Sequence, residues 1–134
     1  MNTYEWTPDL VTGNEQIDSQ HRTLFGYAND LLAAIQGTGL DDEATAEYVW
    51  RLTDYVMGHF ADEQELMESV HYPDRSIHAG MHDTLTGETM RLTARVMRGE
   101  TVAASEIAKL TTKWMREHIH TADKQFVAYL SAHR

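Results

Sequence analysis

At 134 residues, with 11 Lys and Arg against 21 Asp and Glu, the chain carries a formal charge of −10 and is long enough for one hydrophobic core but not two. No Lys/Arg cluster breaks the acidic balance, which argues against nucleic acid or an anionic membrane as partner, since both need a basic footprint. Cysteine is absent, which removes disulfides, iron–sulfur clusters, thiolate zinc sites and c-type haem attachment; any metal has to be held by nitrogen and oxygen.

The opening residues Met1 to Leu10 show neither a basic n-region nor an apolar h-region, and no long apolar run occurs anywhere, so the expectation is a soluble, cytoplasmic protein. Residues 1–17, with Pro8, Gly13 and Asn14 and no sustained period, read as an arm that Trp6 packs onto the rest. From Asp18, the residues His21, Leu24, Phe25, Ala28, Leu31, Leu32 and Ile35 recur at spacings of three and four until Gly37 and Gly39, which predicts a first helix over about 18–36. Asp41 or Asp42 is placed to cap a second, about 41–70, with Tyr48, Leu52, Tyr55, Val56, His59, Glu63, Leu66 and Val70 on one face. Pro73 suits the first turn of a third, about 73–98, that carries Ile77, His78, Met81, His82, Leu85, Leu92 and Val96 inward. A fourth, about 101–131, presents Ile107, Leu110, Trp114, Met115, His118, Ala122, Phe126, Val127 and Leu130. No alternating strand pattern competes. The reading is all-α: an antiparallel up-down-up-down four-helix bundle with an N-terminal arm, one domain over 1–134.

That topology brings seven polar groups together. His21 lies near the start of helix one, His59 and Glu63 late in helix two, His78 and His82 early in helix three, and His118 and Asp123 late in helix four. In an alternating bundle the start of an odd helix and the end of an even one lie at the same end, so all seven converge on one half of the core. Residues four apart sit about 6 Å along the axis and roughly 40° around it, so each such pair faces one point. The five-residue step from His118 to Asp123 leaves them roughly 140° apart, so that carboxylate has to reach sideways. Buried without a metal, these groups would leave many polar atoms unpaired at about 1–3 kcal/mol each, which favours a metal site. His71 in the turn before Pro73, His120 at roughly 200° from His118, and His133 in the tail read as solvent-exposed.

The residues also spell a family. The stretches Asp18-Ser19-Gln20-His21, His59-Phe60-Ala61-Asp62-Glu63, Tyr72-Pro73, His78-Ala79-Gly80-Met81-His82-Asp83 and Trp114 ahead of His118-Ile119 and Asp123-Lys124 resemble hemerythrin in its single-domain bacterial form, bacteriohemerythrin, over essentially the whole chain. The resemblance implies reversible O₂ binding at a centre of two non-haem iron ions, bridged by carboxylates and by a solvent-derived oxo or hydroxo group. By that resemblance His78, His82 and His118 ligate one iron, His21 and His59 the other, Glu63 and Asp123 bridge, and the two-histidine iron keeps the open position. It also implies an oxygen carrier, store or delivery protein rather than an enzyme, with an O₂-using enzyme as a recipient. Five imidazoles and two carboxylates suit iron better than Mg²⁺ or Ca²⁺, which prefer all-oxygen shells. The competing functions are a di-iron oxidase or peroxidase, or the handling of iron or nitric oxide at the same residues.

The family pattern further suggests Trp114, Met115 and Ile119 as the lining of an O₂ pocket, a role compatible with plain core packing; Phe25 and Phe60 are candidates for the same wall, with core filling the stronger account, and Met115 stands where the pattern has Leu. Asp18 reads as a helix cap, with orientation of His21 as the alternative. The acidic surface without a large apolar patch favours a monomer. His118→Ala is expected to lower the metal content and His120→Ala to leave it intact, as counted by metal analysis of the purified variants; the reverse result would mean that the register of helix four is wrong.

Overall fold

The computed structural model describes residues 5–36, 42–100 and 102–132, and among them it is all helix and turn. A short 3-10 turn, Pro8–Leu10, is followed by α1 (Glu15–Gln36), α2 (Asp42–Ser69), α3 (Arg75–Met97) and α4 (Val102–His118); a π-helical turn, Ile119–Asp123, then leads into α5 (Lys124–Ala132). Each helix packs on its sequence neighbours, and α4 closes the ring against α1, as an up-down-up-down bundle requires. α4, the π turn and α5 together form the fourth bundle member.

Two boundaries differ from the sequence expectation, each for a local reason. α1 starts at Glu15 rather than Asp18 because Asn14 caps it, its side-chain oxygen accepting from the Ile17 N–H at 3.0 Å. Asp18 is instead a buried tie for the arm: its carboxylate accepts from the Thr12 N–H at 2.9 Å, the Thr12 hydroxyl at 2.7 Å and the Gly13 N–H at 3.1 Å. Pro73 precedes α3 instead of opening it. The chain leaves α2 through a Schellman closure in which the Tyr72 N–H bonds the Met67 carbonyl and the His71 N–H bonds that of Glu68, with His71 at φ 54° in the left-handed position. The proposed caps Asp41 and Asp42, the inward Ile35 and the tail His133 lie outside the described residues or side chains.

The inward stripe of α3 is His78, His82, Leu85, Thr89, Leu92, Thr93 and Val96. Ile77 and Met81 were expected inward; they are 63% and 41% exposed, because each precedes a buried histidine and is therefore turned about 100° off the interior face. Tyr48, Tyr55, Leu66, Val70, Leu110 and Trp114 are half-buried, and His71 and His120 are exposed as expected.

The interior has two apolar parts. The larger comprises Leu24, Phe25, Ala28, Leu31, Leu52, Val56, Phe60, Leu85, Met115, Ile119 and their neighbours; the smaller, at the end where α2 meets α3, comprises Ile17, Met67, Tyr72, Phe126 and Val127. The arm crosses α1 and α4, with Trp6 packed edge-on to Phe25 at 5.6 Å, and Arg116 holds it by donating to the Thr7 hydroxyl at 2.9 Å and to the Glu5 carbonyl. Gly80 interrupts α3 between two inward histidines, and a methyl group added there meets nothing within 4 Å. Gly80→Ala is expected to raise stability by about 0.5–1 kcal/mol, as measured by denaturant unfolding, and to leave metal content unchanged.

Candidate metal centre

Between the two apolar parts the helices place His21, His59, Glu63, His78, His82, His118 and Asp123, all seven of the residues expected from sequence, each 5% exposed or less. The i,i+4 pairs His59/Glu63 and His78/His82 arise from ordinary helical turns. The five-residue step in helix four does not need a sideways reach: the π turn Ile119–Asp123 spends one extra residue in a single turn and so brings Asp123 round to the face that carries His118. The two side chains lie 3.0 Å apart, Nε2 to Oδ1.

The donor atoms fall into two groups that share both carboxylates: Glu63, His78, His82, His118 and Asp123 in one, and His21, His59, Glu63 and Asp123 in the other. Each carboxylate is divided between them. Glu63 turns Oε1 to His78 at 2.7 Å and His82 at 3.4 Å, and Oε2 to His59 at 3.5 Å. Asp123 turns Oδ1 to His78 and His118, both at 3.0 Å, and Oδ2 to His21 at 3.1 Å. The His78 and His118 Nε2 atoms approach to 2.9 Å, and those of His21 and His59 to 3.1 Å.

Hydrogen bonding does not explain this packing. The single hydrogen that His78 Nε2 can carry faces three atoms at 2.7, 2.9 and 3.0 Å, and neither oxygen of Glu63 or Asp123 has a partner in hydrogen-bond geometry, nor does His82 Nε2. The separations are those of a coordination shell. Donors about 2.1 Å from a common cation in six-fold geometry lie about 3.0 Å from one another. A mixed nitrogen and oxygen set of this kind fits a first-row transition metal.

The electrostatics point the same way. Burial pushes the His59 imidazole down to about 4. Burial also pushes His78 down, but its contacts with Asp123 and Glu63 outweigh this and hold it up at about 9, while burial keeps His82 below its ordinary value. Burial would raise the Asp123 carboxyl, yet His118, His21 and His78 hold it well below the usual carboxylate range. Two enclosed carboxylates thus draw positive charge into the site, which a proton on His78 supplies in part and a bound cation would supply more fully.

Aromatic rings wall the donors. Phe60 stacks on His82 at 3.9 Å and 6°, Trp114 stacks on His118 at 4.2 Å and 17°, and Trp6 lies 6.4 Å from the His21 ring. Phe25, Phe60, Met115 and Ile119 are buried in the larger apolar part, whereas Trp114 is half-buried and lines an outer groove of about 420 Å³ with Met81, Thr84, Glu117 and His118.

Two polar neighbours escaped the sequence reading. The Gln20 side-chain oxygen lies 2.7 Å from His59 Nδ1, and the Gln20 amide nitrogen donates to Asp62 at 3.0 Å. Their only sequence signal was adjacency to His21 and to Glu63. Asp18 does not orient His21, whose Nδ1 has no partner.

The family model of the hemerythrin HHE cation binding domain matches residues 12–130. The chain belongs to the hemerythrin family. Hemerythrin relatives include a bacteriohemerythrin of Pseudomonas aeruginosa, 34% identical over 122 residues, 91% of this chain and 78% of that protein. The Stenotrophomonas maltophilia bacteriohemerythrin is 31% identical over 128 residues (96% and 82%), and that of Methylococcus capsulatus is 31% identical over 133 residues (98% and 100%). A crystal structure of wild-type hemerythrin superposes with a TM-score of 0.82 at 28% identity, covering 92% of this chain and 95% of that one. The histidine and carboxylate cluster inside this hemerythrin bundle is therefore a metal-binding site, and among the described residues no helix is long and apolar enough to cross a membrane.

Because both donor groups use Glu63 and Asp123, Glu63→Gln and Asp123→Asn are each expected to weaken metal binding on both sides by more than about 100-fold, beyond the loss typical of residues outside the ligand shell. His82→Ala is expected to remove binding on the five-donor side alone. Metal content and competition with chelators, measured on folded variants, distinguish these outcomes.

Proposed function

We propose that this chain binds O₂ reversibly at a pair of non-haem iron ions and serves as an oxygen carrier, store or delivery protein rather than as an enzyme. The observation that carries the reading is the unequal division of donors: Glu63 and Asp123 each give one oxygen to either side, leaving three imidazoles on one and two on the other. On this reading His78, His82 and His118 hold one iron, His21 and His59 hold the second, and both carboxylates bridge. The names of the bacteriohemerythrin relatives support it.

When bound, the iron pair supplies the electrons on which O₂ uptake and return depend. The protein residues set the conditions. The two-imidazole side has one protein donor fewer, so it is the side with room for a small ligand. On this reading the buried Phe25, Phe60, Met115 and Ile119, of which Phe60 stacks on His82, form an apolar wall that keeps out water and anions that would help O₂ leave as superoxide. Trp114 covers His118 from the groove side. Five neutral imidazoles against two carboxylates give an oxidised metal pair less anionic support than a carboxylate-rich shell would, which favours return of O₂ over its further reduction. The reading extends to a monomer in the cytoplasm handing O₂ to an O₂-using enzyme, the charge of −10 favouring the monomer.

Absorption spectra of the reduced protein before O₂, after O₂ and after its removal, with iron counted on the same sample, test the proposal. Two irons per chain and a spectrum that returns are expected. Steady O₂ consumption with a reductant would mark an oxidase or peroxidase instead, and many irons per chain or rapid nitric oxide turnover would mark iron or nitric oxide handling. His21→Ala should keep about one iron and lose the O₂-dependent spectrum.

A further inference from the structure

We propose that Gln20 and Asp62 are positioning residues for the four-donor side of the centre, forming a relay that fixes the His59 proton on Nδ1 and turns the Nε2 lone pair toward the position shared with His21. The inference rests on the two-metal reading above and goes beyond it. Hydrogen-bond logic sets the direction at each link. The Asp62 carboxylate only accepts, so the Gln20 NH₂ faces it at 3.0 Å, and the amide oxygen must then be the atom 2.7 Å from His59 Nδ1. An amide oxygen also only accepts, so Nδ1 carries the hydrogen and the neutral ring presents a bare Nε2, the atom that faces His21 Nε2 at 3.1 Å and Glu63 Oε2 at 3.5 Å.

The relay is specific to one ligand. Nδ1 of His21 and Nδ1 of His82 have no hydrogen-bond partner, so on the four-donor side His59 is the imidazole whose tautomer and ring angle are held from outside. Gln20 is also the residue before His21, so the start of α1 supplies one donor of that side and orients the other. Asp18, two residues earlier, ties the same turn to Thr12 and Gly13. An imidazole whose far N–H bonds an acceptor is a better metal donor, and the negative charge of Asp62, passed through the polarised amide, strengthens that acceptor.

Titration of the metal-free protein with Co²⁺, followed by ligand-field absorption and by competition with a chelator, tests the relay without reference to O₂. Wild type is expected to take two equivalents. Gln20→Leu should weaken one of them by about 10–100-fold and leave the other unchanged, Gln20→Glu should restore it, and Asp62→Asn should give a smaller loss. In a His21→Ala background, Gln20→Leu should not affect the remaining equivalent. ¹⁵N NMR of the metal-free chain should show His59 protonated on Nδ1 in wild type and as a tautomer mixture in Gln20→Leu. Wild-type affinities in Gln20→Leu, an equal loss of both equivalents, or a wild-type His59 protonated on Nε2 would overturn the proposal. Uptake of fewer than two equivalents by wild type would overturn the two-metal reading, while the His59 tautomer would still decide the relay.

Discussion

Two carboxylates shut away from water, Glu63 and Asp123, set the terms on which the rest of the bundle is built. Each is 2% exposed or less, and an isolated ionised carboxylate in such a place is prohibitively unfavourable unless opposite charge or several donors face it. The fold meets that demand from all four bundle members at once. α1 contributes His21, α2 His59, α3 His78 and His82, and the fourth member His118, so that every carboxylate oxygen faces at least one imidazole nitrogen. No single helix accomplishes this, which makes the site a property of the topology and not of any one segment.

The two apolar parts gain their meaning from this polar layer. The larger one runs from Leu31 and Leu52 through Phe60 and Met115, and the smaller one around Tyr72 and Phe126 seals the end of the barrel of helices beyond the donors. Between them the seven side chains are each 5% exposed or less, and charges interact more strongly there than they would at the surface. The exposed ion pairs, such as Arg51 with Glu47 and Arg22 with Glu15, contribute little by comparison, since water screens both partners.

Much of this was legible in the sequence because apolar residues and histidines follow the same helical period. The spacing of three and four in Leu24, Phe25, Ala28 and Leu31 marks a helix face, and the histidines fall on the same faces, so fold and donor set were read from one pattern. The boundaries were less legible because capping is decided by side-chain competition. Asn14 and Asp18 are both good cap residues, and only the position of Thr12 and Gly13 decides that the first caps and the second ties down the arm. The Pro73 reading failed for a related reason: the Schellman closure at His71 uses a residue type with no Cβ advantage, so nothing in the sequence announced it. Ile77 and Met81 misled because apolar character does not by itself reveal which neighbour takes the inward position. The link from Asp62 through Gln20 to His59 was not legible because a hydrogen bond between helices depends on how α1 and α2 are turned against each other.

The π turn at Ile119–Asp123 has a second effect at the far end of the chain. A lodged residue shifts everything after it by roughly 100° relative to an uninterrupted helix, and with that shift Phe126 and Val127 of α5 stay inward and pack with Ile17, Met67 and Tyr72. One inserted position therefore settles two alignments together, that of a donor in the polar layer and that of the plug which closes the barrel's end. A change in segment length here would be felt in both places at once, which ties the length of this loop-free stretch to the chemistry.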